Sequence, residues 1–376
     1  REPETLSKWE GEGLYEKIQE RRKGAPLYLL HDGPPFANGD VHMGTALNKI
    51  LKDFVVKSKT MAGFRAPFVP GWDCHGLPIE FRVVKSSAGL TPAEVRRRSE
   101  EYARKFIDIQ RRQFRRLGVL GDWEHPYLTL DPTYEAGMIR SFARFVEKGL
   151  VYRKKKPVLW STGAQTALAE AEVEYQDKTS PAVYVLFPLV SGEFAGKASV
   201  VIWTTTPWTL PANLAIAVNA GHQYAVVRVR LDGAEKTIVL AEALLDSFCA
   251  STGAEKLSVE KTIPGSELEG LEASHPFLPR TATIYTAAFV TLDTGTGCVH
   301  IAPGHGEADY HLGLERGLAL LSPVDDYGCY TEECGLPEFV GKNVFEANAG
   351  IIELLKQKGA LAGQGAHEHS YPHCWR

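Results

Sequence analysis

The chain has 376 residues, of which 44 % are hydrophobic and 23 % charged, and its 42 basic side chains stand against 46 acidic ones. This is the composition of an ordinary globular protein of two or three domains, and it excludes disordered, collagen-like and fibrous classes. The net charge of −4 excludes a polycation, so any contact with nucleic acid must come from a local basic patch.

The first part of the chain alternates short apolar strands with long helices. The predicted elements are a strand over Leu27–Leu30, a Gly/Pro-rich loop over Asp32–Val41, a helix from about His42 to Met61, a strand over Phe68–Val69 and a helix from Pro92 to about Leu117. The apolar residues of the first helix have the 3–4 spacing of one buried face, formed by Ala46, Leu47, Ile50, Phe54 and Val55. The alternation predicts an α/β fold with a parallel, helix-covered sheet.

The middle of the chain, from about Tyr184 to Ile301, has a different pattern. Turn residues separate short runs rich in β-branched residues, at Val200–Trp203, Tyr224–Val229, Thr237–Leu240, Thr283–Thr286 and Cys298–Ile301. This pattern predicts a mainly antiparallel, barrel-like β unit. Helices are predicted again over Ala308–Gly317 and Val344–Lys358.

The segment from His31 to Thr45 connects a predicted strand to a predicted helix, which is where open α/β sheets bind ligands. Its glycines, Gly33, Gly39 and Gly44, allow the backbone to approach a ligand closely. The helix start offers free N–H groups to a phosphate, and His42 at that start is placed to donate to a phosphoryl oxygen. Taken alone, the same residues also fit a core turn with a satisfied histidine.

A second segment, Pro70–Glu80, reads Pro-Gly-Trp-Asp-Cys-His-Gly-Leu-Pro-Ile-Glu. Together with His31–Thr45, Asn48–Asp53 and Leu117–Trp123, it resembles the class I aminoacyl-tRNA synthetases, and among them the isoleucyl-tRNA synthetases. The resemblance extends over essentially the whole chain. It implies the first half of a Rossmann-like, parallel-sheet nucleotide-binding fold that is interrupted by an inserted editing domain.

The first signature motif of that family is normally His-x-Gly-His. Here it reads His42-Met43-Gly44-Thr45, so a threonine replaces the second histidine. The resemblance implies that His42, Gly44 and Thr45 are the catalytic, ATP-binding residues. Threonine keeps a hydroxyl but carries no charge near neutral pH, and we expect adenylate formation to survive the exchange.

By the same resemblance, Gly33, Pro34, Trp72 and Asp73 would bind the amino acid, and Asp73 would pair with its α-ammonium group. The implied reaction is attack of the isoleucine carboxylate on the α-phosphorus of ATP, with Mg²⁺ neutralising charge. The isoleucyl group would then pass to tRNA(Ile).

Two stretches of the β unit carry a second set of polar residues. Thr204, Thr205 and Thr206 lie at the end of a predicted strand, His300 lies within the predicted strand Cys298–Ile301, and Asp309 lies near a predicted helix start. Taken singly, threonines fit plain β propensity and the aspartate fits a helix cap. Together the stretches resemble the editing insertion of isoleucyl-, valyl- and leucyl-tRNA synthetases, which implies hydrolysis of Val-tRNA(Ile). Such editing is needed because one missing methylene is weakly discriminated by an apolar pocket, as isoleucyl-tRNA synthetases themselves illustrate.

The resemblance divides the chain into residues 1–157 of the catalytic domain, an editing domain over 158–370 and a return to the catalytic domain at 371–376. The family's second signature, Lys-Met-Ser-Lys-Ser, does not occur in the sequence. We therefore expect a piece of a longer protein that cannot aminoacylate alone. The alternatives are a free-standing editing deacylase, a tRNA-binding module without chemistry, and a valyl- or leucyl-type synthetase.

Other charged and sulfur-containing residues suggest partners less specifically. Between Val95 and Arg116 nine Lys/Arg oppose three acidic residues, which fits tRNA phosphates and a solvated helix face equally well, and Arg153–Lys156 is a second basic patch. His367, His369, His373 and Cys374 resemble a metal site, but no Cys-x-x-Cys is nearby, so zinc is not expected.

Six scattered cysteines indicate a reducing, cytoplasmic setting. We expect a monomer that binds ATP, isoleucine and tRNA(Ile), and no membrane.

Overall fold

The computed structural model describes residues 1–86 and 89–375, and the chain divides into two compact units, residues 1–153 and 154–376. The predicted domain boundaries after residues 157 and 370 stay predictions. Arg376, the last residue of the third predicted piece, lies outside the described residues. Within the described residues, no helix has both the length and the apolar character that crossing a bilayer requires.

The first unit is mostly helical. Its helices are α1 (Glu2–Gly11), α2 (Leu14–Arg21), α3 (Met43–Met61), α4 (Leu77–Ser86), α5 (Pro92–Arg116) and α6 (Pro132–Glu147). Its strands are β1 (Gly71–Trp72) and β2 (Tyr127–Leu128). The helices predicted from His42 and from Pro92 are confirmed as α3 and α5. A capping box at Thr91 and Glu94 and a proline in the first turn fix where α5 begins.

The predicted buried face of α3 is wrong. The buried residues of α3 are Lys49, Asp53 and Val56, whereas Leu47 and Phe54 are 59 % and 61 % exposed. The two charged residues are buried because each has an opposite charge beside it: Lys49 pairs with Asp32 at 2.5 Å and Asp53 with Lys57 at 2.6 Å. The ion pairs therefore determine which side of the helix faces inward.

Helix α6 has an unusual surface for a soluble fold. None of its residues is buried, and Ile139, Phe142, Phe145 and Val146 are all more than half exposed. The outer side of α3 is similar, since Leu47, Leu51 and Phe54 project from it. The core of the first unit lies instead around Phe68, Trp72, Ile107, Phe114 and Trp123, against the inner side of α5.

The strands predicted for the first unit are replaced in the structure by much shorter backbone pairings. Leu27–Leu30 forms a single parallel bridge, from Leu27 to Arg65, and Phe68–Val69 forms none among the described residues. Pairing comes two residues later, where β1 and β2 run parallel. The parallel sense that was predicted is present, but in the described residues the sheet it forms has only two strands.

The second unit is mostly β. Its strands are β3 (Trp160–Ser161), β4 (Thr166–Ala167), β5 (Val173–Pro188), β6 (Ala198–Thr204), β7 (Ala215–Val218), β8 (Gln223–Leu231), β9 (Ala234–Ala241), β10 (Glu255–Pro264), β11 (Glu272–Ser274), β12 (Thr281–Thr286), β13 (Val299–Ile301) and β14 (Leu361–Cys374). Its helices are α7 (Leu245–Thr252), α8 (Glu307–Arg316) and α9 (Val344–Gln357). Every strand and helix predicted for this part is confirmed, with ends that differ by a few residues.

The barrel-like closure predicted for this unit is not found. Among the described strands, one sheet has the order β10-β8-β9-β6-β5-β14 and another the order β11-β12-β7-β13, and both are open. The pairing is mainly antiparallel, as predicted, with parallel exceptions at β6–β9 and β7–β12. The largest apolar core fills the space beside β5, β6 and α9.

Candidate functional site

Two loops that were predicted to bind the amino acid lie side by side in the first unit. Phe36 and Asp73 form a parallel bridge, in which Asp73 N donates to Pro35 O and Ala37 N donates to Asp73 O, both at 2.9 Å. This backbone pairing holds Asp73 beside the segment that carries Gly33 and Pro34. Within the part of the chain that the structure describes, the Asp73 carboxylate has no lysine or arginine partner.

His42 is the N-cap of α3. Its Nδ1 accepts from Gly44 N at 3.1 Å and from Thr45 N at 3.4 Å. Because Nδ1 accepts, the neutral ring carries its proton on Nε2, and the exposed ring presents that donor to solvent. Two of the N–H groups predicted to meet a phosphate, those of Gly44 and Thr45, are thus occupied by His42, whose ring offers Nε2–H as a donor to an anion. A Cβ at Gly44 would lie 3.0 Å from His42 Cε1, so a larger residue here would make the His42 ring shift.

Trp72 lies in the core rather than against a ligand cavity. Its side chain is fully buried, and Nε1 donates to Gln110 Oε1 at 2.9 Å. Gln110 Nε2 in turn donates to Phe36 O at 3.1 Å and to Gly39 O at 2.9 Å. The buried Trp72 side chain therefore anchors the backbone next to Asp73. Gln110 connects Trp72 to the loop before His42.

Helix α5 braces that loop at two further points. Val41 N donates to Gln113 Oε1 at 2.8 Å, and Gln113 Nε2 donates to Asp40 Oδ1 at 2.6 Å. Tyr102 Oη donates to Asn38 Oδ1 at 2.8 Å. Gln110 and Gln113 were not among the residues predicted to form the site. The available signal was polar glutamines on an otherwise apolar helix face.

The basic side of α5 is largely neutralised by neighbours. Within the described residues, five of the nine basic side chains form ion pairs: Arg97, Arg104, Arg111, Arg115 and Arg116. Arg115 and Arg116 reach Glu10 and Glu2 of α1. Exposed ion pairs of this kind are weak, so the solvated face and the contact with tRNA phosphates both stay predictions.

In the second unit, the predicted threonines follow β6 and lead into a short 3₁₀ helix over Pro207–Ala212. Thr206 N donates to Thr204 Oγ1 at 3.1 Å, and the Oγ1 atoms of Thr204 and Thr206 lie 3.2 Å apart. Thr209 Oγ1 donates to Thr206 O at 2.9 Å. Thr205 is half-buried, and its hydroxyl forms no hydrogen bond within residues 1–86 and 89–375. Of the three predicted threonines, Thr205 has the hydroxyl available to a ligand.

His300 is engaged at both ring nitrogens. Its Nε2 lies 3.0 Å from Thr209 Oγ1, and its Nδ1 lies 3.4 Å from Asn213 Nδ2. The Thr209 proton is already given to a carbonyl, so Nε2 donates to Thr209 and Nδ1 accepts from Asn213. Burial, with His305 nearby, lowers the pKa of His300 to about 4, which keeps the ring neutral. This arrangement positions Thr209 and leaves no free nitrogen to orient a water molecule.

Asp309 lies at the start of α8 and is mostly shielded from solvent. Its Oδ2 accepts from Ala302 N at 2.8 Å. Burial raises the pKa of Asp309, although the Ala302 N–H opposes this shift. No cationic side chain pairs with it in the part of the chain that the structure describes. A buried carboxylate of this kind is stabilised by an ammonium group brought by a ligand.

The 3₁₀ helix beside the threonines is anchored from three sides. Trp208 N donates to Asn348 Oδ1 at 3.0 Å, and Trp208 O accepts from Tyr330 Oη at 2.5 Å. His275 Nε2 lies 2.9 Å from Leu210 O. The His305 ring contacts the Trp208 ring edge-on, with the ring centres 5.0 Å apart. The Nε2 atom of His305 is buried without a hydrogen-bond partner among the described residues.

The histidines near the end of the chain form a stripe along β14. Rings of His367, His369, Tyr371 and His373 follow one another at 5.5–5.6 Å. His369 Nε2 lies 3.0 Å from Ser180 Oγ. Among the described residues, no group of three His, Cys, Asp or Glu side chains is arranged to hold a metal ion.

Comparison with known proteins places these features in a family. The family described as tRNA synthetases class I (I, L, M and V) matches residues 4–356. The isoleucine–tRNA ligase of Kosmotoga olearia is 51 % identical over 380 residues, which cover 100 % of this chain and 40 % of that protein. The corresponding ligase of Fervidobacterium pennivorans is 53 % identical over 380 residues, with 100 % and 41 % covered.

The chain therefore spans about two fifths of the length of the curated relatives it matches. Among solved structures, an Agrobacterium radiobacter K84 LeuRS–tRNA–LeuAMS complex is similar at 18 % identity and a TM-score of 0.40, with 98 % of this chain and 48 % of that chain covered. Since the family match extends from residue 4 to residue 356, the chain belongs to the class I tRNA synthetases of the I, L, M and V group.

Proposed function

We propose that this chain carries the amino-acid activation site and the editing site of an isoleucine–tRNA ligase. The observation that supports the activation site is the backbone pairing between Phe36 and Asp73, which brings Asp73 beside the segment that carries Gly33 and Pro34. The choice of isoleucine is supported by relatives of that name at 51 % and 53 % identity over the full chain.

In the activation step, the α-ammonium group of isoleucine would pair with the Asp73 carboxylate, and its carboxylate would attack the α-phosphorus of ATP. A bond forms between a carboxylate oxygen of isoleucine and the α-phosphorus, and the bond between that phosphorus and pyrophosphate breaks. His42 would donate from Nε2 to a phosphoryl oxygen on which negative charge accumulates. Mg²⁺ would come with the phosphates and neutralise their charge, since within residues 1–86 and 89–375 no group of three His, Cys, Asp or Glu side chains is arranged to hold it. The adenylate would then react with the 3′ end of tRNA(Ile).

In the editing step, Asp309 would hold the α-ammonium group of a valyl ester. The hydroxyl of Thr205 would hydrogen-bond to the ester or to the ribose that carries it. Thr204, Thr206 and His300 fix the position of Thr205 through the hydrogen bonds that run from β6 to β13. Water then cleaves the ester bond to give free valine and tRNA(Ile).

Replacing Gly44 with alanine tests the activation site. The new Cβ would lie 3.0 Å from His42 Cε1 and 3.2 Å from Nδ1, so the ring must shift and the cap weakens. We expect isoleucine-dependent ATP–pyrophosphate exchange by the full-length protein to slow by about 10- to 100-fold. Gly24→Ala is the matched control, because nothing lies within 4 Å of its Cβ. Equal rates for the two variants would remove His42 from the mechanism.

Replacing Thr205 with alanine tests the editing site. The variant loses one hydroxyl that has no hydrogen-bond partner among the described residues, so its stability should not change. Hydrolysis of Val-tRNA(Ile) should slow by about tenfold, the value of one hydrogen bond. Thr281→Ala, at an exposed strand position of the same unit, should hydrolyse at the normal rate. If the unaltered protein leaves Val-tRNA(Ile) and Ile-tRNA(Ile) equally intact, the editing proposal is wrong.

A further inference from the structure

Asp32 lies where the two amino-acid loops and α3 meet. Its side chain is fully buried, and one carboxylate oxygen accepts from Lys49 Nζ at 2.5 Å and from Gly71 N at 3.0 Å. The other oxygen accepts from Lys52 Nζ at 2.8 Å. The backbone carbonyl of Asp32 accepts from the Tyr127 hydroxyl. One residue thus contacts helix α3, the loop before β1 and strand β2.

The positions of these contacts relate directly to the proposed amino-acid site. Asp32 precedes Gly33 in the chain, and Gly71 lies two residues before Asp73. Lys52 also donates to Gly33 O, at 3.0 Å. The Asp32 carboxylate therefore sets the separation between Gly33 and Gly71, and through them the width of the space between Gly33 and Asp73.

Loss of a partner from this network is expected to be costly, because Asp32 and Lys49 are buried. Lys49 is 1 % exposed at its side chain, and its Nζ lies 5.0 Å from the centre of the Phe114 ring. Burial lowers the pKa of Lys49, and Asp32 opposes that shift. Gly71 cannot accept a side chain, because a Cβ would overlap the Tyr127 ring. Removing the carboxylate charge would leave Lys49 buried without a counter-ion, so the loops would move to reach water.

We propose that Asp32 is a positioning residue that determines the affinity of the enzyme for its amino acid. This rests on the proposed function. Asp32 does not touch the substrate; it acts by holding Gly33 and Asp73 at the distance that fits an α-amino acid. ATP contacts are expected to be less sensitive, because His42 is held directly by its cap hydrogen bonds and by the α5 glutamines, whereas Asp32 contacts α3 further along, at Lys49 and Lys52.

The same unit contains a matched control. Asp53 on α3 is also a buried carboxylate, which accepts from Lys57 Nζ at 2.6 Å and from Leu120 N at 3.0 Å. Lys57 additionally donates to Gly118 O at 2.9 Å. This is the same combination of aspartate, lysine and backbone N–H, but it fixes a loop that carries none of the proposed amino-acid contacts.

The experiment compares Asp32→Asn with Asp53→Asn in the full-length protein. Pyrophosphate exchange is measured as a function of isoleucine and of ATP, and stability by urea unfolding. Both variants should lose stability. Asp32→Asn should raise KM for isoleucine by about tenfold or more while KM for ATP changes by less than about threefold. Asp53→Asn should leave both KM values within about twofold of the unaltered protein.

Lys52→Met is the second variant, since Lys52 is partly exposed and its loss keeps the Lys49 pair intact. It should also raise KM for isoleucine selectively. An unchanged KM for isoleucine in folded Asp32→Asn would overturn the proposal, as would equal increases for isoleucine and ATP. If Asp32→Asn does not fold, Lys52→Met decides by the same criterion. Absence of isoleucine-dependent exchange in the unaltered protein would instead refute the proposed function.

Discussion

Gly304→Ala is expected to destabilise the second unit by about 3 kcal/mol and to abolish hydrolysis of Val-tRNA(Ile). A Cβ at this position would overlap the carbonyl oxygen of Leu321 and lie 2.7 Å from its carbonyl carbon. Both are backbone atoms, which cannot rotate away. The loop must therefore move, and it carries Ala302, whose N–H holds Asp309, and His305, whose ring meets Trp208.

Two other glycines make this prediction specific. Gly365→Ala should be neutral, because nothing lies within 4 Å of its Cβ. Gly306→Ala should lower hydrolysis more than stability, because the atoms nearest to its Cβ belong to the Asp309 carboxyl group, at 2.8 Å. Urea unfolding and deacylation assays measure the two effects separately. A Gly304→Ala protein as stable as Gly365→Ala would show that the loop does not pack against Leu321.

The second large effect is a loss of stability in mild acid. Burial lowers the pKa of His300 to about 4 and that of His275 to about 3, both from an ordinary value near 6.5. Between these values the unfolded chain binds protons that the folded chain does not, so stability falls as pH falls below about 6.5. Between pH 7.5 and pH 5.0 each of these two histidines should cost about 2 kcal/mol.

Urea unfolding followed by tryptophan fluorescence at the two pH values measures this loss. His300→Gln and His275→Gln remove the proton uptake, so each variant should lose about 2 kcal/mol less than the unaltered chain over the same interval. Each is expected to be less stable than the unaltered chain at pH 7.5, since glutamine cannot reproduce both ring contacts. A pH dependence that is the same in all three proteins would mean that neither histidine is buried in its neutral form.

Local pattern was sufficient to predict strands β6, β8, β9, β12 and β13 and helices α8 and α9 of the second unit, but not its other described strands or α7. It failed on α3 because the pattern identifies where apolar residues lie, not which side of a helix faces inward. Lys49 and Asp53 are buried because of ion pairs with partners distant in sequence or on the next turn, Asp32 and Lys57. No periodicity of apolar residues contains that information. The outward position of Leu47 was therefore not predictable from α3 alone.

Sheet closure and the supporting polar contacts were unpredictable for a related reason. Whether strands close into a barrel depends on pairing between distant segments, and β10 and β14 remain at opposite edges of their sheet. The predicted site residues could each be identified from a sequence motif. Their supports, such as Gln110 and Thr209, are single polar residues whose partners include Gly39, 71 positions from Gln110, and His300, 91 positions from Thr209. Only the folded chain identifies them as part of a site.

The outward apolar sides of α3 and α6 have a practical consequence for work with this chain. Such surfaces attract each other, chromatography resins and molecular chaperones, so overproduction of the isolated chain favours inclusion bodies. Because the attraction between apolar groups weakens on cooling and strengthens with sulfate or phosphate, dilute and cold preparations without those salts keep the chain dispersed. Surface changes such as Phe142→Lys on α6 would improve yield without touching either proposed site.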